Sequence, residues 1–127
     1  MCFFFGLTDP SKFYYVHVAK AADPNAHNVF IVNDAPRKNI AQKTTKGVDW
    51  GTGWHTVRIE RRMAEGTIKV YFDDTTTPIM EAEDKTFGWG WVGVGSFDDS
   101  GFVRHIRVWG PESKDAKAEF FKSKIAD

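Results

Sequence analysis

The sequence predicts an all-β fold, a two-sheet antiparallel sandwich, on three observations. Aromatic residues make up 15% of the 127 residues, and such side chains fit a pleated, half-buried surface better than a helix. Short apolar or alternating runs recur with turn chemistry between them, at the roughly 10–12-residue spacing of sandwiches and barrels. Only the tail after Pro111 carries apolar residues at helical spacing.

Each run is justified in order. Residues 2–7 form the first strand. Asp9-Pro10-Ser11-Lys12 ends it, with Asp and Pro at the first two positions of a tight turn. Residues 13–19 form the second, followed by a polar loop with Asp23-Pro24-Asn25, and 28–33 the third, closed by Asp34-Ala35-Pro36. A weak strand is expected at 40–43. In 54–62, His55, Val57 and Ile59 share one face against Thr56, Arg58 and Glu60, and Trp54 is expected to anchor the strand start in the core. In 66–74, Ile68, Val70 and Phe72 are expected on the buried side, with Met63, Ala64, Glu65 and Gly66 as the hairpin loop. Runs 78–83, 91–97 and 102–109 complete nine strands; the last alternates Phe102, Arg104, Ile106 and Val108 against Val103, His105, Arg107 and Trp109. Ala116, Phe120 and Ile125 predict a short C-terminal helix, which is marginal alone and must pack on something. The chain thus reads as a sandwich over 1–110 with a tail over 111–127.

Composition narrows the function. Seventeen basic and seventeen acidic residues cancel, without the basic excess of a nucleic-acid binder, so nucleic acid is not an expected partner. The single cysteine, Cys2, excludes an intrachain disulfide. No apolar run approaches the roughly 18 residues of a membrane helix, so no membrane insertion is expected. The opening Met1-Cys2-Phe3-Phe4-Phe5-Gly6 is too short for a signal peptide and lacks a basic leader. We expect Met1 to be a fragment start inside a strand.

Four segments carry a resemblance. They are Gly6-x-x-Asp9-Pro10-x-x-Phe13-Tyr14-Tyr15-Val16-His17-Val18-Ala19, Trp54-His55-x-Val57-Arg58-Ile59-Glu60-Arg61, Gly66-Thr67-Ile68-x-Val70-Tyr71-Phe72-Asp73-Asp74 and Gly93-Val94-Gly95-Ser96-Phe97-Asp98-Asp99. In that order they resemble the concanavalin A-like lectin/glucanase (laminin G-like) domains, to about residue 109. The resemblance implies a jelly-roll sandwich, here without the N-terminal strands of a full domain, and a secreted or cell-envelope setting. It leaves function open, because that fold hosts lectins, hydrolases, lyases and adhesion modules.

The chemistry then decides between these. Glucanase relatives carry Glu-x-Asp-x-x-Glu on one strand, where retaining chemistry needs two carboxylates about 5–5.5 Å apart. The nearest cluster, Glu81-Ala82-Glu83-Asp84, lacks the third member, so no catalytic residue is expected. A lyase would use an Arg, a His and a Tyr, for which Arg58, His17 and Tyr71 are the candidates. His17, His27, His55 and His105 have no metal-ligand spacing, and there is no Gly-x-Ser-x-Gly elbow. The resemblance implies a structural calcium in some members, and Asp98-Asp99-Ser100-Gly101 and Asp73-Asp74 are oxygen-rich. Arg104 stands where those members place an acid, so no metal or cofactor is expected.

The preferred expectation is a non-catalytic carbohydrate- or surface-binding module within a larger protein, with a glycan or polysaccharide as partner. Its rivals are a hydrolase or lyase with catalytic residues in missing strands, and an adhesion module. The Gly-flanked Trp50 and Trp89 are the expected sugar platforms, joined by Arg37 or His17. Missing strands would leave edges that recruit a second copy, so a homo-oligomer is expected through residues 3–5 or Phe120-Phe121.

Overall fold

The computed structural model describes residues 1–114 and 116. Its strands are β1 (Cys2–Asp9), β2 (Lys12–His17), β3 (Asn28–Asn33), β4 (Lys38–Asn39), β5 (Ala41–Thr44), β6 (Val57–Arg62), β7 (Thr67–Phe72), β8 (Met80–Glu83) and β9 (Trp91–Gly95). All pairings are antiparallel. One sheet has the order β4-β3-β2-β1-β9 and the other β5-β8-β7-β6. The expected all-β, two-sheet sandwich is borne out, with no helix among the described residues.

Local sequence builds the hairpins. Between β1 and β2, Asp9 faces Lys12, and its carboxylate accepts from the Ser11 amide at 2.7 Å and hydroxyl at 2.6 Å, so Asp9 and Pro10 together set the turn. β6 and β7 pair without irregularity from Val57↔Phe72 to Arg62↔Thr67. Their loop closes where the Gly66 amide donates to the Arg62 carbonyl at 2.8 Å. Gly66 has φ +75°, a left-handed conformation that glycine adopts without a Cβ penalty.

The core lies between the sheets. Period-two alternation sends Phe5, Tyr14, Val16, Val29 and Ile31 inward from the larger sheet, to meet Ile68, Val70, Met80 and Ala82 from the smaller. Tyr14 is fully buried. Its hydroxyl donates to Asp84 at 2.5 Å and accepts from the Phe87 amide at 3.0 Å, with the Arg61 guanidinium 5.0 Å from its ring centroid.

Three expectations are corrected. Trp54 is 54% exposed and precedes the strand, which starts at Val57; its ring lies under the Arg104 guanidinium instead of entering the core. The weak strand expected at 40–43 is present one residue on, as β5, which pairs β8, while the short β4 just before it extends the larger sheet beside β3. Residues 102–109 form no strand, and Phe102 is 89% exposed. Alternation alone does not hold a strand; its amides and carbonyls need a ladder. Residues 112–114 and 116 are not helical, and the rest of the expected C-terminal helix, with Phe120-Phe121, lies outside the described residues.

Candidate functional site: the outer face of the larger sheet

β1 and β2 are aromatic on both parities. Phe3, Phe5 and Tyr14 turn to the core, so Phe4, Phe13 and Tyr15 turn to the opposite face. There they join Cys2, Phe30 and Val32 in a second apolar cluster. A solvent-side face of an antiparallel sandwich is ordinarily polar; this one is a continuous ring surface. Phe4 lies 5.6 Å from Phe13 and 5.9 Å from Tyr15, and Tyr15 stacks on Phe30 at 4.9 Å. Cys2 is sealed in it, and burial pushes its thiol pKa up.

At one end the face opens into an apolar trough of about 490 Å³, lined by Phe4, Leu7, Pro10, Phe13, Trp91 and Gly93 among others. Trp89, 70% exposed, leans over Trp91 with ring centroids 6.0 Å apart. Gly90 sets this pair: a Cβ there would lie 2.4 Å from the Gly6 carbonyl carbon and the Leu7 nitrogen. The loop therefore lies backbone to backbone on the bulge of β1. Toward the other end the rim is polar. Arg37 donates to the Tyr15 hydroxyl at 3.3 Å, and its guanidinium lies 5.6 Å from the Phe30 ring and 5.5 Å from the Phe97 ring. The His17 ring meets Phe97 edge-on at 5.7 Å. Burial pushes the His17 pKa down, so the ring is neutral at pH 7. Burial raises the Tyr15 hydroxyl against the opposing pull of Arg37, which leaves it protonated.

The four expected binding residues fall in three places. Arg37 and His17 come together around Phe97. Trp89 stands with Trp91 beside the trough. Trp50 is half-buried at the Phe72 end of β7, 5.1 Å edge-on from Phe72 and 5.8 Å from His55. Phe4, Phe13, Tyr15, Phe97 and Trp91 were not singled out from sequence. The signal for the first three was present: a strand aromatic on both parities must display one set.

His55 fixes the Trp50 loop. Its two ring nitrogens face two acceptors, Asp73 at 2.7 Å and the Trp50 carbonyl, so the imidazolium satisfies both. The Asp73 hydrogen bond, and then the Trp50 carbonyl, raise its pKa. His27 is the opposite case. It is fully buried, its Nδ1 accepts from the Ala19 amide at 3.2 Å, and its Nε2 faces the Thr45 hydroxyl at 2.8 Å. Burial lowers its pKa. The signs are opposed: the His55 pairing stabilises fully below 6.5 and is lost as pH rises through its folded value. Neutral His27 stabilises fully above 6.5, and that contribution falls as pH drops below it. Proton NMR is expected to show His55 titrating above 6.5 and His27 below it.

The other constellations do not assemble. Arg58 faces Tyr71 across β6–β7 and pairs with Glu60 at 2.9 Å, whereas His17 belongs to the other sheet. Glu81 pairs with Lys43 at 3.6 Å. Asp73 and Asp74 bond His55 and the Thr76 amide and hydroxyl. Among the described residues, no group of three or more His, Cys, Asp or Glu is placed to hold a metal, and no helix is long and apolar enough to cross a membrane.

The geometry defines a class: an antiparallel two-sheet β-sandwich whose larger sheet is aromatic on both faces. No protein-family model, curated protein or solved structure matches the chain.

Proposed function

We propose that the chain is a non-catalytic glycan-binding module of the concanavalin A-like kind, taking sugar rings on the outer face of its larger sheet. One observation carries the reading: a half-buried aromatic floor of Trp91, Phe4 and Phe13, flanked by the exposed Trp89 and running toward Arg37 and His17. The C–H faces of pyranose rings stack on aromatic rings, and their hydroxyls need hydrogen-bonding groups at the rim. Trp91 and Trp89 offer the stacking surface; Arg37 supplies fixed donors. The acids that hydrolysis would need are tied into structural contacts, Glu81 to Lys43 and Asp84 to Tyr14.

Calorimetric titration with a neutral β-glucan oligosaccharide and with a uronic-acid oligosaccharide tests the proposal. At least one is expected to bind with a dissociation constant on the order of micromolar to millimolar. Trp89→Ala should weaken that binding about tenfold, roughly 1.4 kcal/mol, without shifting the melting temperature. Trp50→Ala should instead lower the melting temperature, because it strips packing from Phe72 and His55. No binding of either sugar by the folded parent protein would overturn the reading and leave the face as a protein-docking surface.

A further inference from the structure

Among the described residues the smaller sheet has four strands against five in the larger. Phe3 lies directly opposite Val94 in the β1–β9 ladder, and directly opposed residues share a face. Phe3 packs on the inter-sheet core, so Val94 and its same-parity neighbour Val92 also point between the sheets. They should be covered. They are 42% and 50% exposed. The strand order explains why. β3 lies against β5 and β8, and stepping across both sheets from there brings β1 to the level of β6 and β9 beyond it. Nothing described in the smaller sheet lies past β6, whose only ladder is with β7. Its core-side Val57 and Ile59 are correspondingly only half-buried.

The same chain carries a strand without an edge. Residues 102–109 alternate as a strand should, yet they enter no ladder, and Ile106 and Trp109 are 65% and 77% exposed. The segment passes the head of β6, with the Arg104 guanidinium 3.8 Å from the Trp54 ring centroid. At eight residues it is long enough to span the six of β6. With Phe102, Ile106 and Val108 turned inward over Val92 and Val94, Arg104 falls on the same side, at the head of β6 over Trp54, and the alternation places Val103, His105, Arg107 and Trp109 on the outer side with Glu60.

We propose that residues 102–109 of one copy add as a strand to β6 of a second copy, and that the exchange is reciprocal, so that each smaller sheet gains its fifth strand. An edge without a strand and a strand without an edge, both in one chain, form a self-complementary pair that a two-fold axis satisfies twice. The segment's apolar row then covers the inner valines of β9, which no strand added to the β9 edge would do. The strand pairing of this assembly is at β6 in the smaller sheet, although the valines it would cover, Val92 and Val94, also border the trough; light scattering and exchange at β6 therefore read it apart from sugar binding.

Light scattering under reducing conditions is expected to give a dimer at micromolar concentration. Hydrogen exchange should show protected amides in both β6 and 102–109, lost together on dilution. Ile106→Pro removes a ladder donor and fixes the local backbone at a residue that is 65% exposed in its own chain; it should raise the dissociation constant at least about tenfold. Unchanged circular dichroism would show that the variant still folds. A monomer with 102–109 unprotected would overturn the proposal. So would a concentration-independent monomer with 102–109 protected, since the segment would then pair with its own β6, and so would a dimer that Ile106→Pro leaves intact.

Discussion

Tyr14→Phe is expected to lower the free energy of unfolding by about 2 kcal/mol, a large loss for one oxygen atom. The Tyr14 hydroxyl is the node between the two sheets. It donates to Asp84, accepts from the Phe87 amide, and lies 3.4 Å from Arg61. Removing it leaves the Phe87 amide without its acceptor and takes one donor from Asp84. Arg61 already has two buried nitrogens, Nε and Nη1, without a hydrogen-bond partner among the described residues, so the site holds no spare acceptor for the freed amide. A buried group left unsatisfied costs about 1–3 kcal/mol, more than the net worth of a made bond. The phenyl ring retains its stacking on Phe5 at 5.3 Å, so the loss isolates the hydroxyl. Urea unfolding of parent and variant measures it, and a loss under about 0.5 kcal/mol would show that water replaces the hydroxyl. The contribution also depends on pH. Burial pushes the Asp84 carboxyl up, but the Tyr14 hydroxyl and the Thr86 donors outweigh it and hold the pKa below 3.8. The carboxylate's share of stability is therefore complete above 3.8 and lost as pH falls through the lower, folded value.

Gly90→Ala should cost about 3 kcal/mol, the upper end for overpacking, and should also abolish glycan binding. The added Cβ meets backbone atoms of Gly6 and Leu7 at 2.4 Å, not the yielding end of a side chain. The loop must lift from β1, and it carries Trp89 and Trp91 with it. Gly88→Ala is the control: a Cβ there meets nothing within 4 Å, so its stability should change by no more than about 0.5 kcal/mol. Thermal melts of the two variants, run beside the oligosaccharide titration, separate close backbone approach from a general intolerance of the loop. Equal stability in the two would mean that the loop does not rest on the β1 bulge.

Much of the sandwich was legible because its causes are local. The tight turn follows from Asp9 and Pro10, and the β6–β7 hairpin from alternating Ile68 and Val70 with a glycine able to take φ +75° at Gly66. The double aromatic parity of Phe3–Phe4–Phe5 and Phe13–Tyr14–Tyr15 was equally visible, although its meaning was not. Two faces of rings require two places to put them, and sequence does not say which place faces water.

The remainder depended on what lay across space. Trp50 and Trp89 look alike in sequence, each beside glycine. Trp50 meets Phe72 and His55 and is half-buried, whereas Trp89 leans on Trp91 and is 70% exposed. Ile40 separates two short strands that join different sheets, β4 beside β3 and β5 beside β8. Residues 102–109 have as good an alternation as β7, yet form no strand. Alternation, turn chemistry and composition are properties of neighbours in the chain, and they determined an all-β sandwich. Burial and strand pairing are properties of neighbours in space, because a side chain is buried only by what is opposite it and a backbone is paired only by what lies beside it. The tertiary structure alone therefore decided which aromatic face stayed open and which strand was left without an edge.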